Sequence, residues 1–129
     1  MNKTPEQKER KTILVVDDDA AIRESLTDLL DDEGYEVECA KDGQEALIHL
    51  QTSELPAMIL LDLMMPNMDG VQFRTEQLKD ERISKIPTVV MSANPHGLQK
   101  FSMVSVENFL RKPLDIEELL EFANRYCKK

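Results

Sequence analysis

Cysteine and histidine, on which most metal centres and many nucleophilic sites are built, are nearly missing here, with two of each. Cys39 and Cys127 stand in no Cys-x-x-Cys or Cys/His ligand spacing, so both are expected as free thiols in a reducing compartment. His49 and His96 each lack ligand or triad context and read as surface or helix residues. Positive charge is also short. Sixteen Lys and Arg face 25 Asp and Glu, a net charge of -9, which argues against direct nucleic-acid binding. No run nears the roughly 20 apolar residues of a membrane span. The start, Met1 to Arg10, is polar and charged, carries Pro5 and has no apolar signal-peptide core. A cytoplasmic protein is expected, with residues 1-10 a flexible tail and 11-129 one domain.

What the chain has instead is a series of short apolar runs that end on polar residues. Thr12-Ile13-Leu14-Val15-Val16 reads as a buried strand, and Asp17, Asp18 and Asp19 follow at once. Ile22, Leu26, Leu29 and Leu30 then repeat with helical spacing until Gly34 stops the helix. Tyr35 to Ala40 alternates as a half-exposed strand, expected at a sheet edge. Asp42-Gly43 turns into a second helix carrying Ala46, Leu47 and Leu50. Met58-Ile59-Leu60-Leu61-Asp62 is apolar up to its final carboxylate, the signature of a strand buried on both faces. Pro66 blocks a longer ladder, and Asn67-Met68-Asp69-Gly70 turns into a third helix over roughly Val71 to Lys79, with Phe73 and Leu78 expected inward. Pro87 to Met91 is a fourth strand leading to Ser92-Ala93-Asn94. A short helix is expected within Pro95 to Ser105, and a fifth strand over Val106 to Leu110, before Arg111-Lys112-Pro113. The last helix opens near Asp115, its N-terminal acid, and carries Ile116, Leu119, Leu120 and Ala123 inward.

Strand and helix alternate five times, which predicts an α/β fold of parallel strands joined by right-handed crossovers, with helices on both faces. In such sheets ligands bind beyond the carboxyl ends of the strands. Asp17, Asp18, Asp19, Asp62, Ser92 and Lys112 are therefore expected in one crevice. A lone Asp after a strand is commonly a helix cap, but clustered carboxylates facing one lysine need further positive charge. Oxygen donors without sulfur or nitrogen suit a hard cation, Mg2+ best of all. Given a metal, one carboxylate can act as a nucleophile toward phosphorus, with Lys112 and the Ser92 hydroxyl aiding the transfer.

Val15-Val16-Asp17-Asp18, Leu61-Asp62, Met65-Pro66-Asn67-Met68-Asp69-Gly70, Met91-Ser92-Ala93 and Lys112-Pro113 together resemble the receiver domain of two-component response regulators, over about Lys11 to Lys129. The resemblance implies a flavodoxin-like, three-layer (βα)5 fold with strand order 2-1-3-4-5. It implies Asp62 as the phosphorylation site, with Asp17, Asp18, Asp62 and the backbone carbonyl of Met64 holding Mg2+. Ser92 and Lys112 would contact the phosphoryl group, and Ser92 and Phe109 would form a switch. That switch would reshape the face made by the fourth helix, fifth strand and last helix. A cis Lys112-Pro113 bond is also implied. The implied partners are a sensor histidine kinase or phosphotransfer protein and a downstream protein target, with the chain a monomer or a phosphorylation-dependent dimer. The domain is expected to be a signalling phosphoacceptor rather than an enzyme, either standing alone or cut from a longer protein. Departures from the family pattern fall at Val104-Ser105, where Gly-Ala is usual, and in the short Pro95 to Ser105 segment. Met64 and Asn94 occupy positions that in the family tune phosphoryl lifetime.

Three other readings compete. Asp17-x-Asp19 superficially fits an aspartate-nucleophile phosphatase of the haloacid dehalogenase type, but Ala21 replaces the expected Thr or Val and there is no room for the usual core. A module that has lost phosphorylation would keep the fold without a competent site. A flavodoxin would need a Ser/Thr/Gly-rich phosphate loop after the first strand, and Asp17-Asp18-Asp19 is not one.

Overall fold

The computed structural model describes residues 12–52, 54–93 and 108–127. It contains strands β1 (Thr12–Val16), β2 (Glu36–Ala40), β3 (Met58–Asp62), β4 (Thr88–Ser92) and β5 (Asn108–Arg111). The helices are α1 (Ala20–Asp32), α2 (Gly43–Thr52), α3 (Gly70–Lys79) and α4 (Ile116–Tyr126). The strands pair in parallel in the order β2-β1-β3-β4-β5. This is the flavodoxin-like sheet, and β2 lies at an edge as its alternation suggested. The tail at 1–10 and the short helix expected within Pro95 to Ser105 fall outside the described residues.

β3 is central and all five of its residues are buried, which is why it needs no polar alternation. Successive side chains go to opposite faces of the sheet. Leu14, Val16, Ile59, Leu61 and Val90 join Ala46, Leu50 and Phe73 in one core under α2 and α3. Ile13, Val15, Met58, Leu60, Val89 and Met91 join Leu26, Leu30, Leu119 and Ala123 in the other, under α1 and α4. Each fully buried aliphatic or aromatic side chain contributes roughly 1.5–3 kcal/mol. Gly34 ends α1 as expected. At φ 93° it occupies the left-handed region, and its N–H bonds the Asp31 carbonyl at 3.0 Å.

The helix expectations need two corrections. Phe73 is buried, but Leu78 is 42% exposed and Gln77 takes the inward place. Gln77 Nε2 donates to the Ile83 carbonyl at 2.9 Å, while its Oε1 accepts from Arg74 and from the Thr88 hydroxyl. A fully hydrogen-bonded amide can be buried without the cost of an unpaired one. Ile116, expected inward, is 53% exposed. As the first residue of α4 it sits past the carboxyl edge of the sheet, and the inward contacts begin at Leu119. Strand ends also shift, and β2 begins at Glu36 rather than Tyr35. β4 begins one residue later than expected, at Thr88, and ends on Ser92. β5 reaches Arg111, while Val106 is outside the described residues.

Candidate functional site

The parallel ladders stop together at the carboxyl edge, and the chemistry begins in the residues at and just beyond them. Asp17 follows β1, and its N–H still bonds the Ala40 carbonyl of the edge strand at 3.1 Å. Its side chain is 1% exposed. Oδ1 accepts the Asp19 N–H at 2.9 Å and Oδ2 accepts from Lys112 Nζ at 2.9 Å. Its carbonyl accepts from Arg23 Nη1 at 2.7 Å. Arg23 is a neighbour that sequence reasoning missed, since nothing in a lone helical Arg points six residues back.

Asp62 is the last rung of β3, opposite Met91, and is 5% exposed. Lys112 Nζ lies 3.4 Å from Asp62 Oδ1, which also accepts the Met64 N–H at 3.4 Å. Lys112 is placed by its own backbone, whose N–H donates to the Ser92 carbonyl at 3.0 Å. The Lys112–Pro113 peptide is cis. Ser92 is buried at the end of β4. Asp18 is exposed at the mouth, and one carboxylate oxygen each from Asp17, Asp18 and Asp62 lie within 4.8 Å of one another.

Asp19 does not join them. Its carboxylate accepts from the N–H groups of Ala21 and Ile22 at 2.9 and 3.4 Å, capping α1. The unpaired amides of the first helical turn compete for the third acid of the run and hold it. Phe109 is likewise outside the crevice. It is half-buried, pairs in register with Val90 and packs on the core under α2 and α3.

Burial pushes the Asp62 carboxyl up, and the adjacent Asp17 charge pushes it further, to about 6 against the ordinary 3.8. Burial alone would lower the Lys112 ammonium. The hydrogen bond to Asp17 and the charges of Asp62 and Asp17 together outweigh it, and the net direction is upward. Among the described residues, three carboxylates still outnumber the Lys112 ammonium and the Arg23 guanidinium on the Asp17 carbonyl, so the crevice is net negative. Its donors are all oxygen, and they converge closely enough to share one ion. The residues present therefore fit Mg2+.

The fold and the crevice define the class first: a flavodoxin-like α/β domain carrying three acids and a lysine at the carboxyl edge of its sheet. The chain belongs to the response regulator receiver domain family, which matches residues 13–124. It is similar to response regulator MprA of Mycolicibacterium vanbaalenii, with 41% identity over 84% of this chain and 46% of that protein. It is 35% identical to response regulator Rre1 of Synechocystis sp., over 84% of this chain and 48% of that one. The chain thus spans about half the length of these relatives. Among solved structures, chemotaxis protein CheY4 of Vibrio cholerae superposes with a TM-score of 0.80 at 32% identity, covering 91% of this chain and 98% of that one. Among the described residues no helix is long and apolar enough to cross a membrane.

Proposed function

We propose that this receiver domain takes a phosphoryl group onto Asp62, in a Mg2+-dependent reaction, from a histidine kinase or phosphotransfer protein. The observation that carries the reading is the convergence of Asp17, Asp18 and Asp62 with Lys112 bridging two of them. Asp17, Asp18, Asp62 and the backbone carbonyl of Met64 are the groups that would hold Mg2+. Bound there, the metal supplies the positive charge that lets anionic acceptor and anionic phosphoryl group approach.

With its carboxyl at about 6, Asp62 is mostly ionised at neutral pH and can act as a nucleophile. One of its oxygens gives an electron pair to phosphorus. The new P–O bond forms as the P–N bond of the donor phosphohistidine breaks. The departing pair stays on the imidazole nitrogen, which is reprotonated from solvent. Lys112 is already held within reach of Asp62 and pairs with the added charge. The Ser92 hydroxyl, one residue beyond Asp62's ladder partner Met91, donates to a phosphoryl oxygen. Its movement opens space into which Phe109 turns from its half-buried position, changing the surface of β5 and α4 for a downstream protein partner.

On this reading residues 11–129 form a signalling phosphoacceptor that catalyses only its own phosphorylation and dephosphorylation. It acts on protein partners, as a monomer or a phosphorylation-dependent dimer. Intact mass after incubation with Mg2+ and acetyl phosphate tests it. We expect one hydroxylamine-labile phosphoryl group on the wild type, none with EDTA and none on Asp62→Asn. An unmodified wild type under rapid quenching would overturn the proposal in favour of a phosphorylation-independent module.

A further inference from the structure

The loop that follows Asp62 is clamped at two points, and the second clamp comes from a different part of the chain. At its neck the Leu63 N–H bonds the Met91 carbonyl at 3.0 Å, and the Leu63 carbonyl accepts the Gly70 N–H at 2.9 Å. The fit is tight. A Cβ on Gly70 would sit 2.8 Å from the Asp62 carbonyl oxygen and 2.9 Å from Leu63 Cα, both backbone atoms. At its tip Asn67 adopts φ 66° and its Nδ2 donates to Asp42 Oδ2 at 3.0 Å. The next residue, Met68, accepts the Gly43 N–H on its carbonyl at 3.1 Å.

Asp42 is well suited to hold the tip. It is 5% exposed, and its other oxygen accepts the Glu45 N–H at 2.8 Å in the first turn of α2. The bonds from Glu45 and Asn67 hold its carboxyl below the usual carboxylate range. It therefore stays an anion and accepts charge-assisted bonds. Between neck and tip lie Met64, Met65 and Pro66, with Met65 buried in the core under α2 and α3. The path of the Met64 backbone is thereby determined from both sides.

We infer that Asp42 is a positioning residue, which acts through Asn67 to hold the Met64 carbonyl where it can serve a cation at Asp17, Asp18 and Asp62. The inference rests on the Mg2+ site of the proposed function and adds a remote anchor to it. Outer partners of metal ligands commonly change affinity 10- to 100-fold when removed. We expect a roughly tenfold loss here, at the low end of that range, because Asp17 keeps its bonds from the Asp19 N–H and Lys112 whatever the loop does.

Calorimetric Mg2+ titration of the full chain provides the test. Asn67→Gly keeps the left-handed backbone and the α2 cap while deleting the amide, so it carries the test if Asp42→Ala fails to fold. Both single variants should weaken Mg2+ about tenfold. The exchange Asp42→Asn with Asn67→Asp rebuilds the bond with donor and acceptor reversed and should recover most of the affinity. Phosphorylation by acetyl phosphate at saturating Mg2+ should stay within about twofold of wild type, an effect confined to binding. Unchanged affinity in Asn67→Gly, or no recovery in the exchange, overturns the inference. If the wild type takes up no Mg2+, the proposed function fails instead. Amide exchange at Met64 and Met65 in EDTA then decides the positioning separately. Acceleration in Asn67→Gly that the exchange reverses upholds the clamp, and unaltered rates refute it.

Discussion

Neutralising Asp62 should make the metal-free domain more stable. Its carboxyl titrates near 6 in the fold against 3.8 for the ordinary group. The folded state thus holds the proton more tightly than the unfolded state does. This difference corresponds to about 3 kcal/mol at 1.36 kcal/mol per pH unit. Water reaching the mouth of the crevice screens part of it, so the effect expected for Asp62→Asn is ~1–2 kcal/mol. The sign follows from proton release. Below about 3.8 both states keep the proton, and the ionised carboxylate costs nothing. Between 3.8 and 6 the unfolded chain releases it first and wild-type stability falls, and above 6 the cost is constant. Urea unfolding in EDTA at pH 8 should show a variant midpoint higher by about 1 M, for a slope of order 1–2 kcal/mol/M. At pH 4 the gap should nearly close. Mg2+ at pH 8 should close it too, by stabilising the wild type in proportion to occupancy. A variant no more stable at pH 8, or equally more stable at both pH values, would refute the account of Asp62 as a buried charge that Lys112 only partly offsets.

Three further substitutions probe the structure at opposite ends of the sheet. Lys112→Ala leaves Asp17 and Asp62 without their shared ammonium. The Asp62 carboxyl should titrate higher still, and phosphorylation by acetyl phosphate at pH 7 should slow roughly 10- to 100-fold, with its pH profile displaced upward. Gln77→Ala strips hydrogen bonds from the Ile83 carbonyl and the Thr88 hydroxyl and should cost ~2–3 kcal/mol in urea unfolding. Leu78→Ala, on the exposed side of the same helix, should cost less than ~1 kcal/mol. Equal losses for these neighbours would show that the inward face of α3 has been misassigned.

The strands were readable because each is a short apolar run that ends abruptly on a charge or hydroxyl, and their ends are where the crevice lies. That Asp17, Asp18, Asp62 and Lys112 would come together could be read from position alone once the sheet was taken as parallel. Which of three successive acids would turn away was decided by the open amides of α1, and Asp19 was nearest to them. The inward face of α3 was misread because a glutamine is buried only if partners await it. Those partners, Ile83 and Thr88, come from the turn and strand that follow. The Asp42–Asn67 bond was invisible for a similar reason. Both residues read locally as turn formers, and nothing in either segment announces the other, 25 positions away.

The Gln77, Arg74 and Thr88 network and the acid crevice lie at opposite ends of the same strands. A five-residue strand is about 16 Å long, well beyond the 7–10 Å over which substitutions usually influence one another's energetics. The domain can therefore drift at one pole without disturbing the other. A lineage could exchange the hydrogen-bonded base for a better-packed one and gain thermal tolerance with the acid crevice untouched. An engineer could transplant the upper loops onto a sturdier relative and expect them to keep their habits.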